Sequence, residues 1–178
     1  MGYPGKNRKT FSRPRTPFQA DRIAAEVEVV KAFGLRNKKE LWKAQAVIRK
    51  YRHISRTLLA AAAVGEESPD RVAVLGRLKK FGLLKEDGDL DAILSMKVTD
   101  LLERRLQTQV YRQGLANTLR QSRQFITHGH IQVGGRKVTI PGYMVRRGDE
   151  MTIDYYGGSP MAKEGHPERQ ARTPRVEG

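Results

Sequence analysis

The chain has 178 residues, with 34 Lys and Arg against 19 Asp and Glu, a formal net charge of +15 and no cysteine. Lacking thiols, it cannot carry disulfides, cysteine-ligated zinc, iron–sulfur clusters or thiol catalysis, which suits a reducing cytosol, and no apolar run approaches the roughly 20 residues of a membrane span. Positive charge in this excess is expected to serve a polyanion, because every phosphate neutralised by Lys or Arg releases condensed counterions; a soluble protein that is simply cationic, or one that meets an acidic membrane surface through an amphipathic helix, are the alternatives.

Residues 1–19 carry Lys6, Arg8, Lys9, Arg13 and Arg15 among Gly and Pro without apolar periodicity. They predict an extended basic arm, ordered only on a partner; with no apolar segment behind its charges, this stretch does not read as a secretory signal. From Asp21 the pattern is helical: Ile23, Val27, Val30 and Phe33 recur at three- and four-residue steps, and Gly34 stands where a helix would stop. Asn37 with Glu40 three residues on reads as a capping pair for a longer helix, whose apolar stripe is Leu41, Ala44, Val47, Ile48, Tyr51, Ile54 and Leu58. Lys38, Lys39, Lys43, Arg49, Lys50, Arg52 and Arg56 lie largely on its other faces. Such charges are commonly only a solvated face. Here Arg49, Arg52 and Arg56 repeat at helical spacing with almost no acid to pair with them, a repulsion that a docked anion would relieve. Trp42 and Tyr51 read as core.

Ser68-Pro69 is a helix-start signature, and the helix it opens should run through Val72, Leu75 and Leu78 to Gly82. The acidic stretch 86–91 predicts a turn; its carboxylates lack the glycine and terminal glutamate of a calcium loop. Thr99 is a candidate cap for one helix carrying Leu102, Leu106 and Val110, with Arg104 and Arg105 beside them, up to Gly114. Thr118 and Gln121 form a capping box for the next, with Leu119, Phe125 and Ile126 inward and Arg120, Arg123 and Gln124 outward. After Gly129 the period alternates: Ile131, Val133, Gly134-Gly135, Val138, Ile140, a tight hairpin, with a further strand at 151–155. The tail from Gly157 shows no core-forming pattern. The fold class is therefore α+β: arm 1–19, helical domain 20–98, a helix-and-hairpin module 99–156 and an extended tail 157–178. Net charge is uneven along the chain, at +11 for residues 1–60, −2 for 61–102 and +5 for 103–156, two basic regions flanking a slightly acidic one.

The stretch from Glu103 to Asp149 resembles the S-four RNA-binding module: Arg104 to Leu106, Gly114, Thr118, Ser122-Arg123, Gly129 to Ile131, Val133 to Gly135 and Pro141 to Val145 follow its pattern in order. Ser122, Gly134 and Gly142 depart from the residues usual there. Outside the module, GLRNKKELWK at 34–43, LLERRLQTQVYRQGLA at 101–116 and SPMAKEGHPER at 159–169 are similar to the archaeal and eukaryotic branch of the small-subunit ribosomal S-four family. The resemblance implies a structural protein that binds small-subunit rRNA early, at a multi-helix junction, and nucleates assembly of the subunit body. It also implies ribosomal proteins S-five and S-three as neighbours, mRNA close by where it enters, an influence on decoding accuracy, and residence on cytoplasmic ribosomes.

In that reading the arm cations and those of the long helix join Arg104, Arg105, Arg120, Arg123, Arg136 and Lys137, which are expected to project from one rigid edge toward phosphates. Thr118, Gln121 and Gln124 are candidates for sugar or phosphate contacts, although Thr118 and Gln121 are equally explained as caps of each other. His128 is a candidate RNA contact; His128 and His130 are expected to alternate across a strand and so make a poor metal pair. No metal or cofactor is expected. The competing class is an enzyme with an appended module, but residues 1–98 lack a glycine-rich cofactor loop and a strand-rich catalytic segment. A small stand-alone RNA chaperone is the nearer rival, against which the long helical N-terminal half argues.

Overall fold

The computed structural model describes residues 9–65, 69–163 and 165–170; Lys6, Arg8 and Ser68 lie outside them. The fold is α+β. Helix α1 (Ala20–Ala32) ends at Gly34, whose φ of +56° turns the chain into α2 (Lys38–Ala63). The Asn37 side chain accepts from the Glu40 N–H at 3.1 Å, as a cap should. One half of α2 packs Leu41, Ala44 and Ile48 with Leu35, Leu101 and Leu102; this cluster straddles residue 98 and ties the helical half to the module. The other half packs Leu58 with Leu78 of α3 (Asp70–Lys80), Leu84 and the pair Leu90 and Ile93.

A turn stands at 86–87 as expected, and Leu90 and Ile93 belong to a short helix that was not expected, α4 (Leu90–Ser95), which begins at the end of the 86–91 stretch. Asp89 caps it, accepting from Leu90 N at 2.7 Å. Two contacts from α2 fix it: Ser55 donates to Leu90 O at 2.7 Å, and Arg52 donates to Met96 O at 2.6 Å. In the α2 stripe Val47 is 39% exposed, and Val72, one of the apolar residues expected along α3, is 75% exposed. The described part of the arm does not run free: Phe11 packs 6.0 Å from Trp42, Ser12 accepts from Arg49, and Thr16 and Pro17 carbonyls accept from Arg22.

The single helix expected from Thr99 is two, α5 (Val98–Glu103) and α6 (Leu106–Arg112). Asp100 rather than Thr99 serves the α5 start, accepting from Lys97 N at 2.8 Å. The break at Arg104-Arg105 is satisfied from both sides. Thr108 and Gln109 side chains donate to the Leu102 and Glu103 carbonyls, and Leu106 N donates to Tyr143 O at 2.8 Å. Helix α7 (Leu119–Thr127) then leads into β1 (Ile131–Val133), β2 (Arg136–Lys137) and β3 (Ile153–Tyr155), an antiparallel sheet in the order β2-β1-β3. Val133 pairs with Arg136 across Gly134 and Gly135, both at positive φ, the two-residue turn that a right-twisted hairpin requires. Residues Arg147–Thr152 form a 3-10 turn, so β3 begins two residues later than expected.

The module's core is Leu106, Val110, Phe125, Ile126, Ile131, Val133, Val145, Ile153 and Tyr155. Met161, in the tail expected to contribute nothing, is buried in it, with Pro160–Ala162 making a further 3-10 turn. The last described element is α8 (Pro167–Gln170).

Candidate nucleic-acid interface

Glu40 is the first point at which the two halves meet through charge. Its carboxylate accepts from Arg105 at 3.1 Å through one oxygen and from Arg123 through the other. Arg105 is 7% exposed, and its backbone bridges to Met144. Arg104 is held by Glu150 at 2.6 Å and by the Val145 carbonyl. Arg104 and Arg105 therefore do not project from an edge as expected. Their planar donor forks are spent on internal carboxylates and carbonyls because the α5–α6 break turns them inward. Arg52, likewise expected on the outer face of α2, is spent on the α4 terminus.

Several of the cations left to solvent line two concavities, and Arg123 lines both. The first, about 650 Å³, lies where the α1–α2 turn meets the start of α7, and is lined by Lys31, Arg36, Tyr111, Thr118, Arg120 and Arg123. A close approach creates it. Gln107 Nε2 donates at 2.9 Å to both Gly34 O and Leu119 O, and a Cβ on Gly34 would stand 2.6 Å from that of Leu119. Lys31, Arg36 and Arg120 are exposed, and none has an ion-pair partner among the described residues. Thr118 Oγ1 accepts from Gln121 N as the expected box requires, whereas the Gln121 side chain accepts from Asn117 N rather than from Thr118 N, and donates to Glu168. The positive end of α7 thus opens between unpaired cations, an arrangement suited to phosphate.

The second concavity, about 670 Å³, runs between α2, α3 and residues 140–144. Its walls carry Lys43, Lys50, Arg77, Arg105 and Arg123 against the single carboxylate Glu40. Its floor is apolar: Val47, Phe81, Met144 and the 62% exposed Ile140. One nitrogen of Arg123, Nη1, is buried and without a hydrogen-bond partner.

Other expected contacts fall around these cavities. Lys39, Arg49 and Arg56 are exposed along α2, Gln124 is exposed on α7, and Lys9, Arg13 and Arg15 are exposed on the arm. Lys38 is instead paired with the buried Glu26 at 3.3 Å. Trp42 Nε1 and Arg22 also donate to Glu26. Burial alone would raise the Glu26 pKa, but the donors Trp42, Arg22 and Lys38 outweigh it and hold the carboxyl below its ordinary 4.5. Arg136 and Lys137 are exposed on β2, where Lys137 lies over the Tyr156 ring, 5.7 Å from its centroid. His128 and His130 do not point apart: His128 ends α7, and the two rings lie 6.1 Å apart and 36° off parallel. Burial, and then the charges of His128, Lys137 and His166, push His130 below its usual range. Among the described residues no cluster of three or more His or carboxylate groups is placed to hold a metal.

Lys31, Arg36 and Arg77 are not singled out by the sequence. Arg36 lies in the 34–43 segment that is similar to the S-four family, whereas Lys31 and Arg77 carry no local signal and become site residues only through the packing of α1 on α2 and α3 on α2.

The S4 domain family matches residues 104–151. Over nearly the full length, the chain is similar to curated proteins named small ribosomal subunit protein uS4. It is 52% identical to that of Methanococcoides burtonii, over 97% of this chain and 96% of the relative. It is 49% identical to those of Methanosphaerula palustris (94% and 95% covered) and Methanoregula boonei (95% and 94% covered). With about half of its residues shared along almost the whole of these archaeal proteins, the chain belongs to the small ribosomal subunit protein uS4 family.

Proposed function

We propose that the protein is a structural constituent of the small ribosomal subunit that binds folded rRNA through phosphate backbone and shape. The observation that carries this is the pair of cation-lined concavities joined at Arg123, in which Lys31, Arg36, Arg120, Lys43, Lys50 and Arg77 have no ion-pair partner among the described residues. Exposed guanidinium and ammonium groups that no carboxylate neutralises are what counterion release rewards. Family membership supports the ribosomal setting, and with it residence on cytoplasmic ribosomes. The role is one of binding and assembly rather than catalysis.

The finer reading rests on the same logic. A rigid module locked to a helical half through Glu40 presents cations from α1, α2, α3 and α7 as one preformed surface, suited to a junction where several RNA helices converge. Binding there early would fix the junction and nucleate the subunit body. Ribosomal proteins S-five and S-three, and mRNA where it enters, are the neighbours this assignment entails, and decoding accuracy the property it would influence.

The test is nitrocellulose filter binding of a small-subunit rRNA transcript across a range of salt. Arg36→Ala with Arg120→Ala should weaken binding and make log Kd against log salt shallower by about two phosphate contacts. An unchanged slope overturns the assignment of this surface.

A further inference from the structure

The groove between α2, α3 and residues 140–144 has more than a phosphate site needs. Cations that hold only backbone would be served by a polar floor. Here Val47 and Ile140 keep large apolar side chains 39% and 62% exposed in the middle of the protein's unpaired positive charge. Lys43 and Lys50 stand two turns apart on α2, about 10 Å along its axis, far enough to hold separate phosphates. Arg77 faces them from α3 across the floor. Resting on the rRNA-binding reading, we propose that this groove receives an unstacked nucleobase of the rRNA, with its ring on Val47, Met144 and Ile140 and its flanking phosphates on Lys43, Lys50 and Arg77.

The cavity of about 670 Å³ gives a base and its sugar room to enter. RNA-binding proteins read splayed bases by this pairing of an apolar or aromatic platform with cations along the strand. Charge complementarity favours RNA over an apolar peptide: five cations and one carboxylate line the groove, and Glu40 is already shared by two of those cations. An acidic segment of a neighbouring protein has similar chemistry and is separated by the test.

Because the chain has no cysteine, Ile140→Cys supplies a lone thiol on the groove floor. Its alkylation by iodoacetamide is timed with and without a saturating small-subunit rRNA transcript, and Val72→Cys, at a 75% exposed position outside the lining of this groove, is the reference. The expected result is alkylation slowed about tenfold or more by RNA at position 140 and unchanged at 72. In parallel, Val47→Ala with Ile140→Ala, which alters no charge, should weaken transcript binding about tenfold with the salt slope unchanged. Equal alkylation rates on a transcript that filter binding shows to be bound, or an undiminished affinity of the double variant, overturn the groove proposal and leave the rRNA-binding reading standing. Protection that appears only when other small-subunit proteins are added overturns it in favour of a protein occupant. A wild-type chain that fails to bind the transcript at all sinks both.

Discussion

Glu40 sits in the first turn of α2, three residues after Asn37, where a carboxylate commonly folds back onto the cap N–H. Its backbone does its part in the cap, but its carboxylate reaches across to Arg105 and Arg123. The sequence made Asn37–Glu40 legible as a helix start. It could not show the second role, because the partners are 65 and 83 residues away and only folding brings them near. Arg105 and Arg123 are mostly buried, so removing the shared carboxylate strands two desolvated cations. Glu40→Ala is expected to cost about 3 kcal/mol in a urea titration, at the lower end of what breaking a buried pair removes. The same geometry makes Arg123→Ala a poor probe of RNA binding, since it damages the fold and the surface together. Arg36 and Arg120, exposed and unpaired, separate the two.

At the scale of elements, caps and glycines carry what is locally legible. Thr118 with Gln121, and Gly134-Gly135 between alternating residues, specify their structures through their own backbone chemistry, and both are present. Elements fixed from outside were not readable. Helix α4 is six residues, too short for a period to show, and is held by Ser55 and Arg52 from another helix. The α5–α6 break has no proline or glycine to announce it; the Tyr143 carbonyl and the buried side chains of Thr108 and Gln109 make it. Gly34 was legible as a stop, and the structure adds why nothing larger fits: a φ of +56° and the close pass of Leu119. Gly34→Ala is therefore expected to destabilise by about 2 kcal/mol or more, from left-handed strain together with overpacking. The melting temperature should fall, and binding of the transcript should weaken with it, because the α1–α7 concavity would open.

For the molecule as a whole, charge count and segment asymmetry were enough to point to a polyanion, and much of the exposed surface is cationic as they implied. Which cations stay exposed was not legible, since Arg104 and Arg105 look in sequence no different from Arg120. Only burial sorts them. The buried carboxylate of Glu26 was equally hidden within a run that reads as an ordinary helix face. Its folded pKa lies below 4.5, so its stabilising contribution is complete above that value and is lost as the pH falls through the folded pKa. Thermal melts from pH 7 to 3 should show the wild type losing stability over that acid range, while Glu26→Gln starts lower at pH 7 and declines less steeply.

The bond from Gln107 to Gly34 and the grip of Arg123 on Glu40 span 73 and 83 residues of chain. A growing polypeptide that has released α1 and α2 still lacks the groups that seat them, and the Glu40 acid waits bare until Arg105, and then Arg123, have emerged. The helical half is therefore expected to reach its final packing only when the module has formed, so that synthesis delivers its cations well before the surface they share is complete.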